Sequence, residues 1–367
     1  MCIQKFTLGN QITIPDLYIK YKVVTPLDNE IWLDISEIYR PEGKETESFR
    51  IFEKDHTDPV MRRIYDTYLA QHSNQTVDYA KTMVQKWLRF DHAKMTILEA
   101  LNALNSFIDF TDPDTDEPNI MHAYQTAERI REQHPDEDWF HLIGLIHDLG
   151  KIMGMWGAHQ WEIAGDTYPL GCKPSESVVF VKDGTFDNNQ DMNNIKYNTK
   201  YGMYEPNCGL SQLTMSWGHD EYMYQVLKNH KNCTIPEEGL YMIRFHSFYP
   251  WHTGGDYWHL ASDNDKHMWS WVREFNKYDL YSKSDKLPDI NELNPYYQKL
   301  IDKYIPGEDV NADWSFNVGL QYFWVPNDDL PNGQSCDSHM WYCNNFLDPL
   351  DCGRCDLFFS VCVDPKQ

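Results

Sequence analysis

One segment constrains this chain more than any other: Trp139-Phe-His-Leu-Ile-Gly-Leu-Ile-His-Asp-Leu-Gly-Lys151. It is an apolar, helix-like run that ends in an imidazole beside a carboxylate, His147-Asp148. Asp136-Glu-Asp138 stands ahead of it, with acids at the positive end of the helix dipole. A neutral imidazole and a two-oxygen carboxylate suit a borderline or hard cation, and the carboxylate can bridge two. The dipeptide alone is a weak signal, since His219-Asp220 is a second one. Its weight comes from His122, His219, His246 and Asp279, each inside its own dense motif.

Around that segment, residues 48–308 read as mainly helical. Thr96-Ile-Leu-Glu99 is a capping-box pattern, and Ile97, Leu98, Leu101, Leu104 and Ile108 follow at helical spacing. Pro236-Glu-Glu before Leu240-Tyr-Met-Ile-Arg-Phe-His246 is another helix start, with proline in the first turn. The stretch from Thr167 to Gly209 is rich in Gly, Pro, Asn and Asp and reads as long loops with room for a short hairpin. Residues 1–47 mix β-branched stretches with charge and form an irregular extension. From 309 to 367 the composition turns to Asp, Asn, Pro, Cys and aromatics, a separate Cys-rich acidic tail.

Charge excludes some partners. A net charge of -24 is unsuited to nucleic acid, whose binding neutralises phosphates, and to an anionic membrane surface. No run approaches the length of a transmembrane helix, and the first ten residues lack a continuous apolar signal segment. The nine cysteines are odd in number and unevenly placed, which points to reduced thiols in a cytoplasmic protein. In the tail, Cys336, His339, Cys343, Cys352 and Cys355 have ligand-like spacing for a zinc knuckle, against a plain appendage.

Taken one at a time, the candidate ligands have structural readings. His122 sits near a helix start, where polar residues are common, and His246 lies on an apolar helix as core histidines do. Asp279, among the aromatics of Glu274-Phe-Asn-Lys-Tyr-Asp-Leu-Tyr281, is costly to bury without a cation or donors. Together, four His and two Asp supply the N and O ligands of two first-row metals, with Asp148 as the bridge. Sulfur-free coordination of this kind favours non-haem iron, then manganese, then zinc. Lys151 follows His147 by four residues and Lys283 follows Asp279 by four, each placed by helical spacing on the face of its ligand.

These stretches closely resemble the myo-inositol oxygenase family of the HD-domain superfamily. The resemblance is carried by His134 to Lys151, Gly165-Asp-Thr-Tyr-Pro-Leu-Gly-Cys172, Met215 to Val226, Tyr241 to Gly254 and Trp271 to Tyr281. It spans from about Ser48 to Gly307, roughly seven tenths of the chain. It implies an all-α, HD-domain-like helical bundle with long loops. It also implies two iron ions as an Fe(II)/Fe(III) pair, one on His122, His147, Asp148 and Asp279, the other on Asp148, His219 and His246.

The implied reaction takes myo-inositol and O2 to D-glucuronate and water in a monomeric enzyme. Lys151 and Asp148 would be the catalytic residues. Substrate contacts would come from Arg50, Asp109, Phe110, Thr111, Lys151, Gly165, Asp166, His246, Ser247 and Lys283. The family usually has an acidic residue and then Ser after the aspartate matching Asp109. Here Phe110 and Thr111 follow, so Phe110 can supply backbone groups only. The rival reading is an HD-type metal-dependent phosphohydrolase, in which the same metals activate water.

Overall fold

A computed structural model of the chain describes Phe52 and residues 57–112, 118–281 and 288–307. The extension 1–47, Arg50, Lys283 and the tail from 309 lie outside the described residues. The structure is all-α. Its helices are α1 Pro59–Asn74, α2 Val77–Trp87, α3 Ile97–Ala103, α4 Asn119–Gln133, α5 Asp138–Ile146 and α6 Gln160–Ile163, then α7 His219–Asn229, α8 Glu237–Phe245, α9 Tyr249–His252, α10 Asp263–Tyr281 and α11 Ile290–Tyr304. Among the described residues there is no strand, only an isolated antiparallel bridge between Pro169 and Met215. The hairpin left open between Thr167 and Gly209 is therefore absent there, and short 3-10 turns at 181–183 and 190–193 take its place.

The helix starts obey local chemistry. The Asp58 carboxylate accepts from the Val60 amide at 2.8 Å, with Pro59 in the first turn of α1. The Thr96–Glu99 capping box forms as read, with Thr96 N–H donating to Glu99 Oε2 at 2.6 Å and Glu99 N–H to Thr96 Oγ1 at 3.2 Å. The helix it opens is shorter than the apolar spacing predicts. It ends at Ala103, passes through a 3-10 turn at Leu104–Ser106, and leaves Ile108 beyond the helix. Tertiary partners override the pattern there: Asn119 N–H donates to Phe107 O at 3.1 Å and Gln160 Nε2 to Ile108 O at 2.9 Å. Pro236 caps α8 from just outside it, and the two acids that follow open the first turn.

Helix α5 is the centre of the core. Phe140, Leu142, Ile143, Leu145 and Ile146 are all fully buried, as expected of a helix that is apolar on every face. It lies tightly on α4: a Cβ at Gly144 would stand 2.8 Å from the Ala127 Cα, so a glycine is required for this approach. At its end the chain tightens into a 3-10 segment, Leu149–Trp156, which packs against α7 and α3. None of the described helices is long and apolar enough to cross a membrane.

A second apolar cluster, built on Tyr168, Leu170, Val178 and Phe186, lies beside His72 of α1. Thr185 Oγ1 donates to Phe180 O at 3.1 Å, so it accepts from His72 Nδ1, 2.7 Å away. His72 Nε2 is buried with no hydrogen-bond partner, and the ring stacks on Phe186 at 4.2 Å. Burial therefore pushes the imidazole down from 6.5 to about 3. The unfolded chain binds this proton and the folded chain refuses it. Stability from this group is complete above pH 6.5 and is lost as pH falls toward 3, by up to about 1.4 kcal/mol per pH unit. Urea unfolding at pH 7.5 and pH 5.5 should show His72→Gln losing about 1 kcal/mol less than the parent on acidification. Equal losses would show that His72 is protonated in the fold.

Candidate metal centre

Six polar side chains from five helices meet at the end of α5. His122 projects from the first turn of α4, and His147 and Asp148 follow α5 directly. His219 opens α7, Asp279 lies in the last turn of α10, and His246 caps α8 in helical conformation, one residue beyond the helix that the sequence assigned it to. All four sequence-predicted histidines and both aspartates thus converge. Asp148, His147, His219 and His246 are buried.

The two oxygens of Asp148 face different partners. Oδ1 lies 3.2 Å from His219 Nε2 and 3.7 Å from His246 Nε2. Oδ2 lies 3.6 Å from His147 Nε2 and 3.9 Å from His122 Nε2. Asp279 Oδ1 closes the second group, 2.9 Å from His122 Nε2 and 3.2 Å from His147 Nε2. Two sets, His122/His147/Asp279 and His147/Asp148/His246, each bring their donor atoms within 4.8 Å of one another. His147 thus lies within reach of both.

The histidines are presented as ligands. His147 Nδ1 donates to Gly144 O at 2.8 Å, His219 Nδ1 to Ile163 O at 2.5 Å and His246 Nδ1 to Ile243 O at 2.9 Å. This pins the tautomer and turns each Nε2 lone pair inward, the arrangement that metal-binding imidazoles use. His219 Nε2 and His246 Nε2 then face each other at 3.0 Å. Two lone pairs cannot hydrogen-bond, so this pair requires a positive centre. Nitrogens each about 2.1 Å from one ion and at right angles to each other stand about 3.0 Å apart. Buried His147 Nε2 also has no hydrogen-bond partner. The donor set fits metal ions bound by nitrogen and oxygen.

Electrostatics keep the carboxylates ionised. Burial, the largest influence, pushes Asp148 up, but the Lys151 ammonium, 2.8 Å away, holds it well below the usual carboxylate range. Burial pushes Asp279 up as well, and His122 Nε2, 2.9 Å from its Oδ1, acts against it. Lys151 is buried between two carboxylates, with Nζ 2.8 Å from Asp148 Oδ2 and 2.9 Å from Asp109 Oδ2. Burial disfavours its charge, but Asp109 and Asp148 outweigh burial and raise its pKa. The reading that spaced Lys151 four residues from His147 on one helix face is corrected: the helix ends first, and the 3-10 turn delivers the lysine to Asp148 instead.

Several of the described substrate candidates connect to the centre or to one another. Thr111 donates to Asp109 Oδ1 through its amide at 2.7 Å and its hydroxyl at 2.6 Å. A Cβ at Gly165, whose φ is +88°, would press within 3.3 Å of Thr111 and Tyr68, so the two loops touch. Ser247 Oγ lies 3.4 Å from His219 Nε2. Phe110 is exposed; its amide donates to Gln160 Oε1 at 3.1 Å and Arg63 stands over its ring. Sequence reasoning missed Tyr68, which donates to Asp166 Oδ1 at 3.2 Å and accepts from the Asp166 amide at 3.1 Å. It also missed Asn119, whose Nδ2 donates to Asp148 Oδ2 at 3.1 Å. Both are bonds between distant positions, and no local pattern signals them.

Comparison with known proteins identifies the family. The family model described as myo-inositol oxygenase matches residues 61–312. Inositol oxygenase of Mus musculus is 53% identical over 279 residues, covering 75% of this chain and 96% of the mouse protein. That of Danio rerio is 52% identical over 276 residues, covering 75% of this chain and 98% of the fish protein. Inositol oxygenase 2 of Arabidopsis thaliana is 43% identical over 311 residues, covering 80% and 96%. A match of this extent and identity, over a chain whose six ligand-type side chains meet in one buried centre, places the protein in the myo-inositol oxygenase family.

Proposed function

We propose that the chain converts myo-inositol and O2 to D-glucuronate and water at a pair of iron ions, in a catalytic unit of residues 48–308. The observation that carries this reading is Asp148, a single carboxylate with one oxygen turned to His219 and His246 and the other to His122 and His147. His122, His147, Asp148 and Asp279 would hold one ion, and Asp148, His219 and His246 the other. When bound, an Fe(II)/Fe(III) pair supplies Lewis acidity toward a substrate hydroxyl and the electron that activates O2. Two protein carboxylates leave such a pair with excess positive charge, which favours a deprotonated hydroxyl.

The protein's own groups bind and orient the polyol. Lys151 directs a fixed positive charge at Asp148 and Asp109. On substrate binding, its three N–H donors are shared with a hydroxyl oxygen beside the centre. Asp109 and Asp166 accept from other hydroxyls. Tyr68 holds Asp166 from behind, and Thr111 holds Asp109. Gly165, Ser247 and His246 are further contacts, Phe110 contributes main-chain groups alone, and the contacts expected of Arg50 and Lys283 fall outside the described residues. A site that pairs each hydroxyl rejects an epimer, because a buried group left unpaired costs about 1–3 kcal/mol. The free thiols Cys172, Cys208 and Cys233 support a reducing, cytoplasmic setting.

Purified iron-loaded protein should consume O2 and inositol together and yield glucuronate. Its rate should peak at partial reduction, and full oxidation or full reduction should each stop turnover. Anaerobic turnover equal to aerobic turnover, or phosphate release from an ester with inositol untouched, would replace this reading with a hydrolase.

A further inference from the structure

We propose that Asn119 is a positioning residue for the bridging carboxylate. Its side-chain amide fixes Asp148 in the rotation that lets each oxygen face a different metal. This rests on the two-metal reading above and extends it to a residue that is not a ligand.

Asn119 is the first residue of α4, one position past the N-cap, where an asparagine would ordinarily serve its own helix. Here it does not. Pro118 precedes the helix with no side-chain cap, and the Asn119 side chain reaches 29 positions along the chain to Asp148 Oδ2, at 3.1 Å. Its own amide nitrogen is held by Phe107 O at 3.1 Å, so the backbone that carries the side chain is anchored from another segment. The side chain is buried, and its Oδ1 has no hydrogen-bond partner. The orientation of the amide is decided by chemistry. Turned over, it would set oxygen against a carboxylate oxygen that already accepts from Lys151 at 2.8 Å.

Asn119 and Lys151 therefore load Oδ2 with two donors, at 3.1 Å and 2.8 Å, while Oδ1 is left to His219 and His246. Lys151 is long and shared with Asp109, so its pull does not set the plane of the carboxylate. Asn119 is short and fixed at a helix start three residues before His122, so it relates the bridge directly to the ligand on its own helix. Donors to a ligand of this kind typically govern metal affinity by about 10–100-fold.

The test is anaerobic Fe(II) titration of metal-free protein by equilibrium dialysis, with EPR of the partly oxidised product, on the parent, Asn119→Leu and Asn119→Ala. The parent should bind two equivalents and give the signal of a coupled pair. Both variants should keep the first equivalent at unchanged affinity, bind the second about 10–100-fold more weakly, and show an isolated ferric signal. Their metal-free melting should match the parent's. If the parent binds fewer than two equivalents, the two-metal reading fails with it. If the parent binds two and the variants match it in affinity and coupling, only the role of Asn119 is overturned. Loss of both equivalents together with a lowered metal-free melt in both variants would make Asn119 a structural residue and overturn the proposal as well.

Discussion

On the proposed two-iron reading, Asp148→Ala is expected to remove both ions, not one, and to lower turnover by more than the roughly 100-fold that even a donor behind a ligand is worth. The reason is the division of its oxygens between two donor groups. The variant should still fold. Lys151 keeps Asp109 at 2.9 Å, so no ammonium is left stranded in the core. Asp148→Asn, of the same size, separates charge from volume and should fail in the same way. His246→Ala should differ, because His122, His147, Asp148 and Asp279 all remain, and one equivalent should be retained. Metal analysis after dialysis decides the matter. Two irons per chain in Asp148→Ala would rule out a bridge.

Gly150→Ala is expected to be nearly as damaging, although Gly150 carries no functional group. A Cβ there would lie 1.9 Å from the carbonyl oxygen of His219 and 2.7 Å from its carbon. Neither side can yield cheaply. Gly150 follows Asp148 by two residues in a tight turn, and His219 is tied through Nδ1 to Ile163 O. Overpacking in a core costs about 1–3 kcal/mol and occasionally more; this case is expected at or above the upper end, about 3 kcal/mol. The second ion, held through His219 and His246, should be lost first. Gly157→Ala is the control. Its φ is +86°, yet nothing lies within 4 Å of an added Cβ, so only a backbone cost of about 1–2 kcal/mol applies. Thermal melts and iron content measured on the pair test the argument. A Gly150→Ala protein that melts with the parent and keeps two irons would show that the turn does not approach α7 as described.

Much of this centre was legible in the sequence because its ligands sit in short, dense motifs with local causes. The α5 run is apolar on every side, so its polar end had to be placed deliberately. The Thr96–Glu99 cap is a four-residue interaction and formed as read. What was not legible depends on distance along the chain. Periodicity extended α3 to Ile108, but Asn119 and Gln160 take hold of that stretch and draw it out. Spacing placed Lys151 beside His147 on a continuing helix. The helix stops at Ile146, and the lysine meets Asp148 and Asp109 instead. Tyr68 on Asp166 and Asn119 on Asp148 resemble an ordinary core tyrosine and an ordinary helix-start asparagine until the fold is known.

The origin of the ligands on five separate helices has a consequence for biosynthesis. The earliest ligand is His122 and the last is Asp279. A ribosome-bound chain that has exposed α4, α5, α7 and α8 but not α10 still lacks the carboxylate shared by His122 and His147. Such sites rarely exist before the surrounding chain has folded, and chains fold from the N-terminus as they emerge. Metal uptake at the His122, His147 and Asp279 group would therefore be a late event, closed to chains that end before α10. On the proposed two-metal reading, the pair would be complete only once α10 has joined the helices that carry the other ligands.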